Sequence, residues 1–213
     1  MKLLFENWRK YLLNEAMKTV EDLLNFKDEE FPDEDRDIYV VVQPRNINNI
    51  TYVTYASIDE NGQTYSLGYN DAINGKVGIS PPNENPDHGP CDGTWQVRLS
   101  SATPSWGPLL YDIAIEYATL HGNGLISDRE EVSDDARAVW DYYVNSRTGD
   151  GVDNHQLDDL NNTLTDIEVD NCDQNISGGK GEWLESSLSK RYTKPPTTIN
   201  QLGDRYIDKS QNS

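Results

Sequence analysis

WQVRLSSATPSWGPLLYDIAIEYATLHGNGLISDREEVSDDARAVWDYYV, residues 95–144, decides the architecture, because the hydrophobic period changes inside it. Trp95-Gln96-Val97-Arg98-Leu99 has the short apolar alternation of a strand. From Leu109 the period lengthens: Leu109, Leu110, Ile113, Ala114, Tyr117, Ala118 and Leu120 recur at helical spacing. Gly122 and Gly124 end that run as helix-stopping glycines. Leu125 and Ile126 read as a brief strand. Ser133 is then placed to cap a second helix, with Asp134 and Asp135 in the first turn, where the helix dipole favours negative charge. Val139, Trp140, Tyr143 and Val144 make its buried stripe.

Working back towards the N-terminus, the chain is strand-rich. Ile38 to Val42 is β-branched and bounded by Pro44, the signature of a buried strand. Ile50 to Ile58 alternates, Asp59-Glu60-Asn61-Gly62 turns the chain, and Gln63 to Tyr69 returns as the hairpin partner. Lys76 to Ile79 adds a short strand, and the proline- and glycine-dense stretch 80–93 is a loop. Together these predict an α/β fold of the α+β kind, a mixed and mainly antiparallel sheet flanked by helices. Upstream, residues 17–26 suit a short helix on Val20, Leu23 and Leu24, followed by an acidic connector that Pro32 keeps from being helical. Downstream of Thr148 the composition shifts to Asp, Asn, Gly and Ser, which predicts a poorly regular acidic C-terminal tail. Within it, Trp183, Leu184, Leu188 and Tyr192 offer one amphipathic helix before Pro195-Pro196, and Ile199, Leu202 and Tyr206 a final turn. The expected organisation is a terminal peptide at 1–15, a helix and linker at 16–36, a domain at 37–148 and the tail at 149–213.

Composition narrows the function. The 213 residues carry a net charge of -19 and only 35% hydrophobic residues, with a mean hydropathy of -0.77. So acidic a protein is repelled by nucleic-acid phosphates and anionic lipid, so direct nucleic-acid binding is not expected. No apolar run reaches membrane-spanning length, so the chain is expected to be soluble. Cys91 and Cys172 have no CxxC partner. Their spacing leaves a disulfide open without supporting one, and a reducing intracellular setting is the expectation.

The order strand, tight loop, long helix, short strand and helix from Trp95 to Arg147 resembles the core of the GCN5-related N-acetyltransferase family. In that family a glycine-rich loop after the fourth strand holds the pyrophosphate of acetyl-coenzyme A on backbone amides at a helix N-terminus, where unsatisfied N–H groups attract anions. The equivalent here is Ala102 to Pro108, so the resemblance implies acetyl-CoA as cofactor, with Ser105, Trp106 and Gly107 as donors. This chain departs from the pattern: only Gly107 remains of the glycines, and Pro104 and Pro108 each remove a donor. The family often places a general-acid tyrosine on the following helix. The position that aligns best holds Trp140, leaving Tyr142 and Tyr143 as catalytic candidates. Glu116 lies on the long helix and reads as a solvated carboxylate. The segments Gly107 to Asp112 and Ser127-Asp128-Arg129 resemble stretches of phage proteins described as acetyltransferase-like.

A second resemblance lies at the start of the chain. Met1-Lys2, an aromatic amphipathic decapeptide, then Leu13-Asn14-Glu15 before Ala16 are similar to the capsid-targeting propeptide of head proteins in T-even-type tailed phages. It implies cleavage between Glu15 and Ala16, packaging in the phage head, and delivery into the bacterial host cytoplasm. The expected protein is therefore a phage-encoded, virion-associated internal head protein with an acetyltransferase-like domain of degenerate or unproven activity. One alternative is an active acetyl-CoA-dependent N-acetyltransferase acting on a host target. Another is an acidic inhibitor of a host DNA-processing enzyme. Its partners would be other virion proteins or a host protein. Other constellations are weak: His88, His121 and His155 are scattered, and Asp150, Asp153, Asp158 and Asp159 lack the calcium-loop order. Ser127-Asp128-Arg129 reads first as a capping and ion-pair turn. No catalytic triad or phosphate loop of the NTPase type is present.

Overall fold

Thr19 is the N-cap of the first described helix: its hydroxyl accepts from the Asp22 amide while the Asp22 carboxylate accepts from the Thr19 amide. This reciprocal capping box starts α1 (Val20–Leu24), whose Val20 and Leu23 are buried. The computed structural model describes residues 17–27, 37–45, 49–68, 71–82, 86–147, 151–174 and 182–210. Leu13, Glu15 and Ala16, where propeptide cleavage is expected, lie outside the described residues, as does most of the acidic connector.

The strands β1 (Tyr39–Arg45), β2 (Ile50–Ile58), β3 (Thr64–Ser66), β4 (Gly75–Ser80) and β5 (Trp95–Ala102) follow in order, and neighbouring pairs are antiparallel. β1 runs through Pro44 rather than stopping at it. The strand on its other side pairs only residues 40–42, so position 44 is at an edge and needs no N–H there. The β2–β3 turn is held by Asp59, whose Oδ1 accepts from the Asn61 and Gln63 amides, and only Gly62 of the Asn61-Gly62 pair has positive φ, at 78°.

Next come α2 (Gly107–Leu120), β6 (Leu125–Ile126) and α3 (Asp134–Ser146), close to the expected positions. β6 lies parallel to β5, as a strand–helix–strand crossover requires. α2 is the core of the molecule. Every residue from Leu109 to Ala118 is buried, because the sheet covers one side and later elements cover the other. Its C-cap is His121, not a glycine. Gly124, with φ at 100°, is needed for another reason: a Cβ there would lie 2.3 Å from the Tyr192 carbonyl.

The part beyond Thr148 is poor in long elements, as its composition predicts, yet it is not a trailing tail. β7 (Asp153–Gln156), β10 (Lys190–Thr193) and β11 (Tyr206–Asp208) join the main sheet, while β8 (Asp158–Asp159) and β9 (Asn171–Cys172) form a small separate pair. The order is β11-β1-β2-β4-β5-β6-β10-β7, with β3 added to β2. Only β11–β1 and β5–β6 are parallel within this sheet. The helix expected over Trp183 to Tyr192 is instead a turn followed by β10. Pairing with β6 and β7 on either side outweighs the apolar spacing, and Trp183, Leu188 and Tyr192 are buried by that route. α4 (Thr197–Leu202) replaces the expected final turn. The architecture is thus α+β, a mixed and mainly antiparallel sheet flanked by helices. Among the described residues no helix is long and apolar enough to cross a membrane.

Candidate functional site

The head of α2 is where the acetyltransferase resemblance puts its cofactor loop. Ser105 has positive φ, 68°, and its carbonyl accepts from the Lys18 amide at 3.1 Å. The Trp106 side chain is buried and wedged edge-on between Phe26 and Tyr55, with ring centroids 6.1 and 5.8 Å away. The Tyr55 hydroxyl donates to the Trp106 carbonyl at 2.8 Å. Lys18 Nζ sits 5.9 Å from the centre of the Trp106 ring. The segment just before α1 is therefore clasped onto this loop, and Trp106 fills the space beside it. Gly107 is not required by packing, since a Cβ there would meet only Ala102, at 3.6 Å.

The candidate acids on α3 divide. Tyr143 is completely buried, and its hydroxyl donates to Asp112 Oδ1 at 2.6 Å and lies 3.1 Å from the Pro108 carbonyl. Burial, reinforced by the Asp112 charge, pushes this phenol well above its ordinary range. Burial likewise raises the Asp112 carboxyl, against the pull of Arg147, whose Nη2 is 2.8 Å away. Tyr142 is half-buried beside Tyr143. Trp140 belongs to an aromatic cluster with Tyr111, Tyr143 and Tyr192.

Glu116 is not solvated. It is fully buried, forms an ion pair with Lys194, and accepts from the Thr198 amide at 2.7 Å and the Ile199 amide at 2.8 Å. The carboxylate thereby caps α4 and holds it against α2. Lys194 also donates to the Thr197 and Thr198 hydroxyls, both at 2.7 Å. No feature of the local sequence announces this partner, which lies 78 residues away.

Ser127-Asp128-Arg129 is a stitching turn, in line with its capping reading but deeper than a surface turn. Arg129 is buried and donates to the carbonyls of Ser127, Asp173 and Leu188. Burial lowers its guanidinium to about 10. Beside it, His88 Nδ1 lies 3.4 Å from Asp173 and Nε2 lies 3.9 Å from Glu130. Cys91 and Cys172 form a disulfide, correcting the expectation of reduced thiols: β9 folds back onto the turn at 91–93 and brings the sulfurs together. Asp158 is engaged by the backbone of the loop that follows it. Its Oδ2 accepts from the Leu164 and Thr165 amides, both at 2.9 Å. Among the described residues no group of three or more His, Cys, Asp or Glu side chains is arranged to hold a metal ion.

A cavity of about 340 Å³ opens between β1, the β2–β3 hairpin and Lys209. Gln43, Gln63, Ser66 and Lys209 give it polar walls, and none of its described lining residues is acidic. Its described lining includes no residue of the α2 loop and none of the tyrosines of α3. No local stretch of the sequence announces it, because its walls come from three separated segments. No protein-family description, no curated protein and no solved structure matches this chain.

Proposed function

We propose that this is a phage-encoded, virion-associated protein whose acetyltransferase-like domain acts by binding rather than by acyl transfer. The observation that carries the reading is how the implied cofactor and acid groups are used. Trp106 is packed between Phe26 and Tyr55, and the Tyr143 hydroxyl is taken up by Asp112 and Pro108. A pyrophosphate cradle needs backbone amides that a ligand can approach, and a general acid needs a proton it can release. The Trp106 amide already donates to the Thr103 carbonyl at 3.1 Å, and the Tyr143 proton is directed at Asp112. The propeptide-like start supports packaging in the head, and the charge of -19 supports a protein partner over nucleic acid.

Calorimetric titration of acetyl-CoA into the full chain tests this. The expected result is no saturable binding tighter than about 1 mM, roughly -4 kcal/mol. Saturable micromolar binding would overturn the reading and favour an active, acetyl-CoA-dependent N-acetyltransferase. Protein recovered from particles is expected to begin at Ala16, and an intact mass that retains Met1 would remove the packaging half of the proposal.

A further inference from the structure

The loop between β8 and β9 is unlike the rest of the surface. Of the eight large hydrophobic residues exposed among the described residues, four fall within ten consecutive positions: Leu160, Leu164, Ile167 and Val169, at 37% to 56% exposure. Every residue from 160 to 169 is exposed, so none of the described residues covers them. Apolar side chains gathered on one exposed element mark an interaction site more often than isolated ones do.

The loop is nonetheless built. β8 and β9 pair at its base, Asp158 to Asn171 and Asp159 to Cys172. The buried Asp158 carboxylate holds the crown by accepting from the Leu164 and Thr165 amides, and the Thr165 hydroxyl accepts from the Ile167 amide at 3.2 Å. The Asp92 amide donates to the Val169 carbonyl at 2.6 Å, and the Cys91–Cys172 disulfide fixes the same end. Gly89 admits the base closely: a Cβ there would lie 2.6 Å from Leu160 and 2.8 Å from the Asn171 carbonyl. A loop held this way presents its apolar side chains without the ordering cost that a floppy segment meets on binding.

Charge selects the occupant. Between 148 and 179 the sequence has seven aspartates, one glutamate and no lysine or arginine. Asp166 and Glu168 are exposed and interleave with Leu164, Ile167 and Val169. A second copy would set like charges face to face, and an anionic membrane would repel the loop. The geometry points to the 160–169 loop as a docking element for a protein that offers an apolar helix face bordered by lysine and arginine. This deepens the reading of the domain as a binding module and names its contact surface.

The test is fluorescence anisotropy with the full chain and three labelled synthetic helical peptides. One has a leucine face bordered by lysines, one the same face bordered by glutamates, and one the lysines with serine in place of leucine. Saturable binding is expected for the lysine–leucine peptide alone. It should weaken at least tenfold in L164S/I167S/V169S, and again on raising salt from about 50 to about 300 mM, which takes the screening length from above to below ~10 Å. The triple variant removes only exposed side chains, and an unchanged unfolding midpoint confirms that it folds. Equal binding by the variant, or equal binding of the glutamate-bordered or serine peptide, would overturn the inference. So would concentration-dependent dimerisation that the variant abolishes. Acetyl-CoA plays no part in this measurement, so the inference and the functional reading can fail separately.

Discussion

Glu116 shows how one residue changes meaning when its surroundings are known. On the helix pattern alone it is a carboxylate on a surface; in the fold it is fully buried, paired with Lys194 and capping α4. Removing its charge strands the Lys194 ammonium in the interior, an uncompensated charge that costs about 3–5 kcal/mol. Glu116→Gln is therefore expected to lower the unfolding free energy by that amount in a urea titration. E116Q/K194M should recover much of the loss, because the second change removes the stranded charge. A loss under about 1 kcal/mol in the single variant would mean that water reaches the pair. Tyr143 and Trp106 carry the same lesson at the implied active site. Their types were legible in the sequence, but a tyrosine bonded to Asp112 and a tryptophan clamped by Phe26 are defined by partners from other elements.

Among the elements, the long helix and both hairpin strands were legible because each writes its period locally. Leu109 to Leu120 repeats at helical spacing, and Ile50 to Ile58 alternates. Trp183 to Tyr192 misleads because its apolar residues satisfy a helical spacing and also the burial needs of a turn and a central strand. Only the flanking β6 and β7 choose between them. The β8–β9 unit depends most on a covalent link. Its disulfide spans 81 residues, and on the chain-entropy account a closure of that length contributes about 4.5 kcal/mol. C91S/C172S is expected to lose about that much in equilibrium unfolding and to raise amide exchange first between 158 and 173. If exchange there stays unchanged, the hydrogen bonds to Asp158 alone are enough to hold the loop.

For the whole molecule, the expected boundary at residue 148 can be tested directly. β10 inserts between β6 and β7, β11 completes the edge beside β1, and Lys194 neutralises Glu116 inside the core. A fragment spanning 17–148 would lack all three. It is expected to show helical far-ultraviolet dichroism without near-ultraviolet structure, and to bind a hydrophobic dye, as loosely packed states do. A cooperative thermal transition in that fragment would establish 17–148 as an independent folding unit, with the later strands added to its edges.

The sequence by itself determined the α+β class, the positions of β1 to β6, the two longer helices and the acidic character of the surface. These follow from local period, turn chemistry and charge, which act between residues close in the chain. Only the tertiary structure decided where the last third of the chain goes, that Cys91 meets Cys172, that Glu116 is buried with Lys194, and that the 160–169 loop stands uncovered. Each of these is a pairing or an exposure set by segments far apart in sequence. Its free energy arises when they meet, and a local window contains only one of the partners.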